Sequence, residues 1–210
     1  MSASDFYFIH ACKSGGSSVY SQLDSEYLKK YFHEITSQQA KQRGLNLSKY
    51  PSVTTVSLNH LTLTEAYDIK LLDDEDMKNK EFIVIWRDPV DRFISICNHL
   101  GINPNALISR LKNPSTDSNT KTLLGRNSWY LPTSDIAKLN NKAIKTTNLP
   151  FNDRTLIASH FRKFVPDFKD VCLNKRKRSS FNRSKLGEDK LQFIKDFYQE
   201  DFAMLDSLQK

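Results

Sequence analysis

Cysteine is scarce and badly placed for covalent bracing. The three residues, Cys12, Cys97 and Cys172, are odd in number and far apart, so they build neither a disulfide framework nor a Cys-x-x-Cys metal spacing. That usage suits a reducing compartment. No apolar run approaches the ~20 residues that cross a bilayer. The opening MSASDFYFIHACKSGG has no charged segment followed by an apolar one, so no signal peptide is expected. Internal repeats and low-complexity tracts are absent. His, Cys, Asp and Glu do not recur at metal-ligand spacing, which predicts chemistry without a catalytic metal. Acid is missing from one stretch: residues 175–185, KRKRSSFNRSK, hold six Lys or Arg and no Asp or Glu. The formal charge is +7, so the remainder carries 7 − 6 = +1. The basicity is therefore local, which points to one anionic ligand or partner site rather than a general polycation.

A chain of 210 residues, 39% of them hydrophobic, can form one domain over 1–210 with a packed core. Short apolar runs alternate with helical stretches. Residues 6–9, FYFI, read as a strand; a turn follows, then a helix over about 17–31 with Val19, Leu23 and Tyr27 four apart. Residues 53–58 are rich in β-branched side chains and read as a second strand, and 63–72 as a helix opened by Thr62 or Thr64. Residues 82–86, FIVIW, form a continuous apolar run, as in a strand buried on both faces. Asp88-Pro89 ends it and starts a helix, with Pro89 near the first position. Signals weaken over 101–150, where Pro104, Pro114 and Pro132 imply short helices and loops. A short strand is expected at 171–173. Leu191, Ile194, Tyr198, Leu205 and Leu208 predict one helix over 186–208, started by Gly187-Glu188-Asp189. The acidic run 73–76 reads as a solvated turn. The alternation implies an α/β fold with a mainly parallel sheet.

Of the six glycines, two stand together at Gly15-Gly16, between the first strand and its helix. Such a turn aims backbone N–H groups at one place and makes an anion site. Lys13 adds a mobile cation; Ser14, Ser17 and Ser18 add hydroxyl donors. The Lys precedes the glycines, so this is not the GxxxxGK[ST] pattern. A plain Gly-Gly turn capped by serines fits the same residues.

IHACKSGGSSVY resembles the sulfotransferase motif that reads roughly HIPKTGGTS. FIVIWRDPVDRFISICNH resembles the second motif of that family, near to RDPVERFLSxYxH. LNKRKRSSFNRSKLGEDKLQFIKDFYQEDFAML resembles the end of the family domain, where a basic stretch precedes a helix ending in YxxDF. The three occur in the family's order and span most of the chain, with a weak match over about 101–170. The resemblance is to enzymes using 3′-phosphoadenosine 5′-phosphosulfate (PAPS), in the carbohydrate and uronyl 2-O-sulfotransferase-like branch. It implies a P-loop-type three-layer fold, a central mainly parallel sheet flanked by helices, and transfer of a sulfuryl group to a hydroxyl acceptor. On the branch resemblance the acceptor is a carbohydrate. Animal members are membrane-anchored Golgi proteins; with no anchor visible here, a cytoplasmic protein of bacterial or viral type is expected, with no nucleic-acid partner.

The resemblance also implies roles. Lys13 steadies the leaving phosphate. The amides of Ser14, Gly15, Gly16, Ser17 and Ser18, with the Ser17 and Ser18 hydroxyls, hold the 5′-phosphate. Arg87 and Ser95 hold the 3′-phosphate, and Lys175, Arg176 or Arg178 close over the nucleotide. Arg offers phosphate a planar fork; Arg87 could instead pair with Asp88 at a helix cap. Arg92 is expected to brace the fold against a carboxylate. Trp86 is core or flanks the adenine. Cys12 stands where the family has Pro, Ser14 where it has Thr, and Asn59 where a Gly precedes the base.

An acceptor hydroxyl needs a general base, and His is the default. His60 follows a predicted strand where the family carries a Gly-His segment, so it is the candidate; a strand-end His bonded to backbone is its plain alternative. His10 is expected to be structural and His99 packing or surface, while His33 and His160 have no spacing argument. Two other classes compete: a different P-loop-type phosphotransferase, and a non-enzymatic anion or nucleic-acid binder using 175–185. The acceptor's identity belongs to loops, here about 34–51 and 101–150.

Overall fold

The computed structural model describes residues 5–113, 122–170 and 181–209. In chain order these hold β1 (Phe6–Ile9), α1 (Gly16–Tyr20), α2 (Ser25–Tyr31), β2 (Glu34–Thr36), α3 (Ser37–Gln42), β3 (Thr55–Ser57), α4 (Leu63–Asp68), α5 (Asp74–Asn79), β4 (Glu81–Trp86), α6 (Pro89–Leu100), α7 (Pro104–Lys112), β5 (Leu123–Leu124), α8 (Thr133–Ile136), β6 (Lys138–Leu139), β7 (Lys142–Ala143), β8 (Thr147–Pro150), α9 (Arg154–Phe161), α10 (Glu188–Phe197) and α11 (Gln199–Leu208). The architecture is mixed α/β, with a central parallel sheet flanked by helices.

That sheet has the order β1-β4-β8, all parallel, with Ile9 beside Val84 and Trp86 beside Pro150. β4 is the middle strand, buried from Phe82 to Trp86, which is why its apolar residues run without alternation. β8, sequence TNLP, is an edge strand, where a terminal Pro removes no interior ladder bond. Because the three strands point the same way, the loops leaving β1, β4 and β8 emerge at one edge, and Phe151 N donates to Trp86 O across 2.7 Å. The strand expected at 53–58 shrinks to β3 and lies in a second sheet, order β2-β3-β5.

Caps set the helix limits. Asp88 accepts from Asp91 N at 2.9 Å with Pro89 at the first position. Thr62 and Glu65 form a reciprocal capping box that starts α4. The helix expected over 17–31 is two, because Asp24 accepts from Tyr27 N at 2.7 Å and starts α2 afresh. The acidic run at 73–76 is not a turn: Asp73 caps α5, and its carboxylates occupy the first turn, where the helix dipole favours them. The helix expected over 186–208 breaks at Tyr198, whose backbone is non-helical (ψ 27°). The strand expected at 171–173 lies outside the described residues. No helix among the described residues is long and apolar enough to cross a membrane.

The core forms two clusters. One surrounds the sheet, with Phe6, Phe8, Val84 and Phe161; the other packs α6 and α7 against α10, with Phe93, Cys97, Ile194 and Tyr198. Arg92, fully buried, stands between them. Its Nε donates to Cys12 O (3.0 Å), Nη1 to Leu131 O (2.9 Å) and Nη2 to Ser128 O (3.0 Å), and its guanidinium lies 5.7 Å from the Tyr198 ring centre. The expected brace is there, but these hydrogen bonds go to backbone carbonyls rather than to a carboxylate. Asp201, also fully buried, accepts from Thr133 N (2.8 Å) and Ser134 N (2.9 Å) and so caps α8.

Arg92→Met leaves three backbone carbonyls, two of them in buried bonds, without their charged donor and should lower the unfolding free energy by roughly 3 kcal/mol or more. Urea denaturation checks this. Asp201→Asn, which keeps one acceptor, should cost less than Asp201→Ala.

Candidate functional site

At the shared edge of β1, β4 and β8 lies a cleft of 930 Å³. The loop after β1 forms one wall. Lys13 has φ 68° and Gly15 φ 89°, so the chain turns through two left-handed residues, a conformation glycine adopts without penalty. Gly16 is required for another reason. A Cβ there would sit 2.0 Å from His10 Nε2. The His10 ring, 8% exposed, lies directly on the glycine.

Loop donors divide into two sets. Ser14 N donates to Ala11 O (3.1 Å) and Ser18 N to Gly15 O (2.9 Å), so those two amides serve the turn itself. Among the described residues no backbone carbonyl accepts from Gly15, Gly16 or Ser17; the latter two open α1 and have no intrahelical acceptor. Lys13, Gly15, Gly16, Ser17 and Ser18 all line the cleft. Ser14 does not: it is 1% exposed, and its hydroxyl is buried with no hydrogen-bond partner among the described residues. Its amide, expected to hold the 5′-phosphate, donates within the turn to Ala11 O.

The opposite wall comes from β4 and α6. Arg87 and Ser95 both line the cleft. Arg87 Nη1 donates to Lys13 O at 2.8 Å, and its guanidinium lies 4.9 Å from the Phe151 ring centre. Arg87 is thus locked onto the loop it faces. Trp86 is core, 3% exposed, with Nε1 donating to Asn148 Oδ1, and Phe151 takes the place at the cleft that Trp86 could have had. Among the described residues the lining cations are Lys13, Arg87, Arg154 and Lys169, and the lining carboxylates are Asp91 and Asp170.

Lys175, Arg176 and Arg178 lie outside the described residues. The described residues on both sides of that stretch are held at the cleft by paired hydrogen bonds. Gln22 Nε2 donates to Lys169 O (2.8 Å) while Lys169 N donates to Gln22 Oε1 (2.5 Å); Asn98 does the same for Phe181, at 3.1 Å each way. Gln22 and Asn98 both line the cleft.

His60 closes the inner end, on a 3-10 turn (Leu58–His60) directly after β3. Its ring stacks on His10 at 4.8 Å and lies 5.6 Å from Trp129, which in turn lies 4.9 Å from His99. Burial, then the charges of Arg126, His99 and Lys13, push the His60 pKa down to about 4. His10 is lowered too, by burial first and His60 second. His99, expected as packing or surface, is exposed yet lines the cleft. His160 lies elsewhere, with Nε2 2.7 Å from Glu81 Oε1.

Trp129, Arg126, Phe151 and Asn98 were not readable as site residues. Arg126 and Trp129 reach the site because β5 pairs with β3, and Gly125 (φ 91°) abuts Ser57 O, where a Cβ would approach within 2.7 Å. Gly125 was the one local signal of that close approach. No family model matches the chain, and neither curated proteins nor solved structures give a match.

Gly16→Ala should destabilise the fold by about 2 kcal/mol or more through overpacking, and by clearly less in a His10→Ala background. A double-mutant cycle read by thermal unfolding measures this. His10 and His60 are held neutral in the folded protein but take up protons readily when unfolded. Stability is therefore complete above the ordinary histidine value of 6.5 and falls as pH drops toward about 4. The pH dependence of the urea midpoint checks it, and His60→Asn should flatten the slope.

Proposed function

We propose that this chain is a sulfotransferase of P-loop type that transfers the sulfuryl group of PAPS to a hydroxyl acceptor, a carbohydrate on the branch resemblance. One observation carries the reading. The loop after β1 and the Arg87–Ser95 segment, far apart in sequence, line a single cleft and are joined by the bond from Arg87 to Lys13 O. A nucleotide with phosphates at two positions needs two anion sites held at a fixed separation, and this bond fixes one.

In the reaction the sulfur–oxygen bond to the 5′-phosphate breaks as a new one forms to the acceptor oxygen, and PAP leaves. Negative charge grows on the departing phosphate, so Lys13 and the Gly15–Ser17 amides stabilise the transition state more than the ground state. Arg87 and Ser95 hold the 3′-phosphate and keep the donor oriented. His60 takes the acceptor's proton. Its depressed pKa keeps it neutral, hence able to accept, throughout the physiological range. Bound anionic donor counteracts the cations around His60 and restores part of its basicity in the complex.

Calorimetry with PAP tests the donor site. Lys13→Ala and Arg87→Ala should each weaken PAP by about tenfold or more, the worth of one charge-assisted contact. His60→Ala should leave PAP affinity within about threefold and reduce transfer by about a hundredfold, read with labelled PAPS against a panel of sugars and lipids. Unchanged PAP binding in both cation variants defeats the donor assignment; ATP binding as tightly as PAP makes the chain a phosphotransferase instead.

A further inference from the structure

Among the described residues His60 has no hydrogen-bonded partner of the kind that usually orients a histidine base. Its Nδ1 is buried with no hydrogen-bond partner among the described residues. What surrounds it instead are rings: His10 at 4.8 Å, interplanar angle 30°, and Trp129 at 5.6 Å. Of these His10 also bonds to the backbone that leads into His60. Its Nδ1 lies 3.2 Å from Asn59 O; a carbonyl only accepts, so this nitrogen donates its N–H to the peptide carbonyl that leads into His60. The far edge of the same ring rests on Gly16, and the Phe8 and Tyr20 rings pack around it at 5.7 and 5.4 Å.

We propose that His10 is a positioning residue for His60: its Nδ1–H tethers the Asn59 carbonyl while its ring spaces His60 from the Gly16 turn of the anion loop. The base and the donor loop are then held at one separation by a single imidazole. The inference rests on the sulfotransferase reading for the word base, but the tether and the spacing stand on geometry. It explains why a buried imidazole, rather than an aliphatic residue, fills this position. An aliphatic side chain could pack there but could not donate to Asn59 O, and that acceptor would be left unpaired. The titratable and charged groups facing His60 are His10, Lys13, His99 and Arg126.

Two substitutions separate tether from packing. His10→Asn keeps an N–H near the Nδ1 position and gives up the ring; His10→Gln gives up the tether as well. Thermal unfolding first establishes that each is folded. Three measurements follow: PAP affinity by calorimetry, the His60 titration in histidine-labelled protein by NMR, and the pH profile of PAPS turnover, followed as sulfate release or transfer to an acceptor found in the panel. Expected are PAP affinities within about threefold of wild type. In His10→Gln the His60 titration should move upward by about one unit as water reaches the ring, with kcat down by about tenfold to a hundredfold. In His10→Asn both changes should be smaller. A His60 titration and a kcat that stay at wild-type values in both variants overturn the proposal. So does a loss confined to PAP affinity, which makes His10 a support of the loop alone. If wild type binds no PAP and turns over no PAPS, the sulfotransferase reading falls, and the NMR titration still decides whether His10 holds His60.

Discussion

The cleft depends on one buried guanidinium. Arg92 projects from α6 into a space where three backbone carbonyls converge, from the loop after β1 and from two points in the 128–131 segment, with Tyr198 against its face. Desolvating a cation is expensive, and only a planar fork with several donors can satisfy three carbonyls in different directions at once. Lysine offers a point charge and could not replace it. By fixing Cys12 O, this side chain sets the start of the left-handed turn at Lys13, which Arg87 then fixes from the other side through Lys13 O. Two arginines five residues apart, one just ahead of α6 and one within it, thus hold consecutive carbonyls of the same loop.

The two kinds of charged environment are sorted by depth. Arg92 and Asp201 are buried, and their described hydrogen bonds go to backbone groups. At the cleft, Lys13, Arg87, Arg154 and Lys169 outnumber the carboxylates Asp91 and Asp170. Burial, then the charges of Arg126, His99 and Lys13, hold His60 neutral, and of these Lys13 and His99 also line the cleft. Lys13 is therefore common to the cationic cleft and to the surroundings of the neutral imidazole.

What could be read from the sequence follows from how local each signal is. β1 and β4 were legible because strands buried on both faces are unbroken apolar runs, and α6 because Asp88-Pro89 is a complete start signal. Gly15-Gly16 and Arg87 were legible as a possible pair because each follows such a strand. β8 was not: TNLP carries no strand signature and forms only because β4 offers it an edge. The Asn140-Asn141 turn of the β6–β7 hairpin, with φ 49° and 64°, sat in a region whose prolines masked it. The single long helix over 186–208 was misread because periodicity cannot register that Tyr198 leaves helical geometry to lie under Arg92. Trp129 and Arg126 enter the site through the pairing of β3 with β5, a tertiary fact. The setting of Ser14 was illegible for a related reason. Residue type makes it a donor, but only the turn's own hydrogen bond decides which way it faces.

The division of the core has a consequence for how the molecule is made. α6 carries an apolar face, Val90, Phe93 and Cys97, whose cover includes Ile194 of α10 and the Tyr198 hinge. During synthesis α6 leaves the ribosome long before either of them. Until they arrive, that face is bare and Arg92 lacks the ring beneath it. β1 and β4 precede that cover in the chain, so the sheet's central pair can be made before the second cluster is complete.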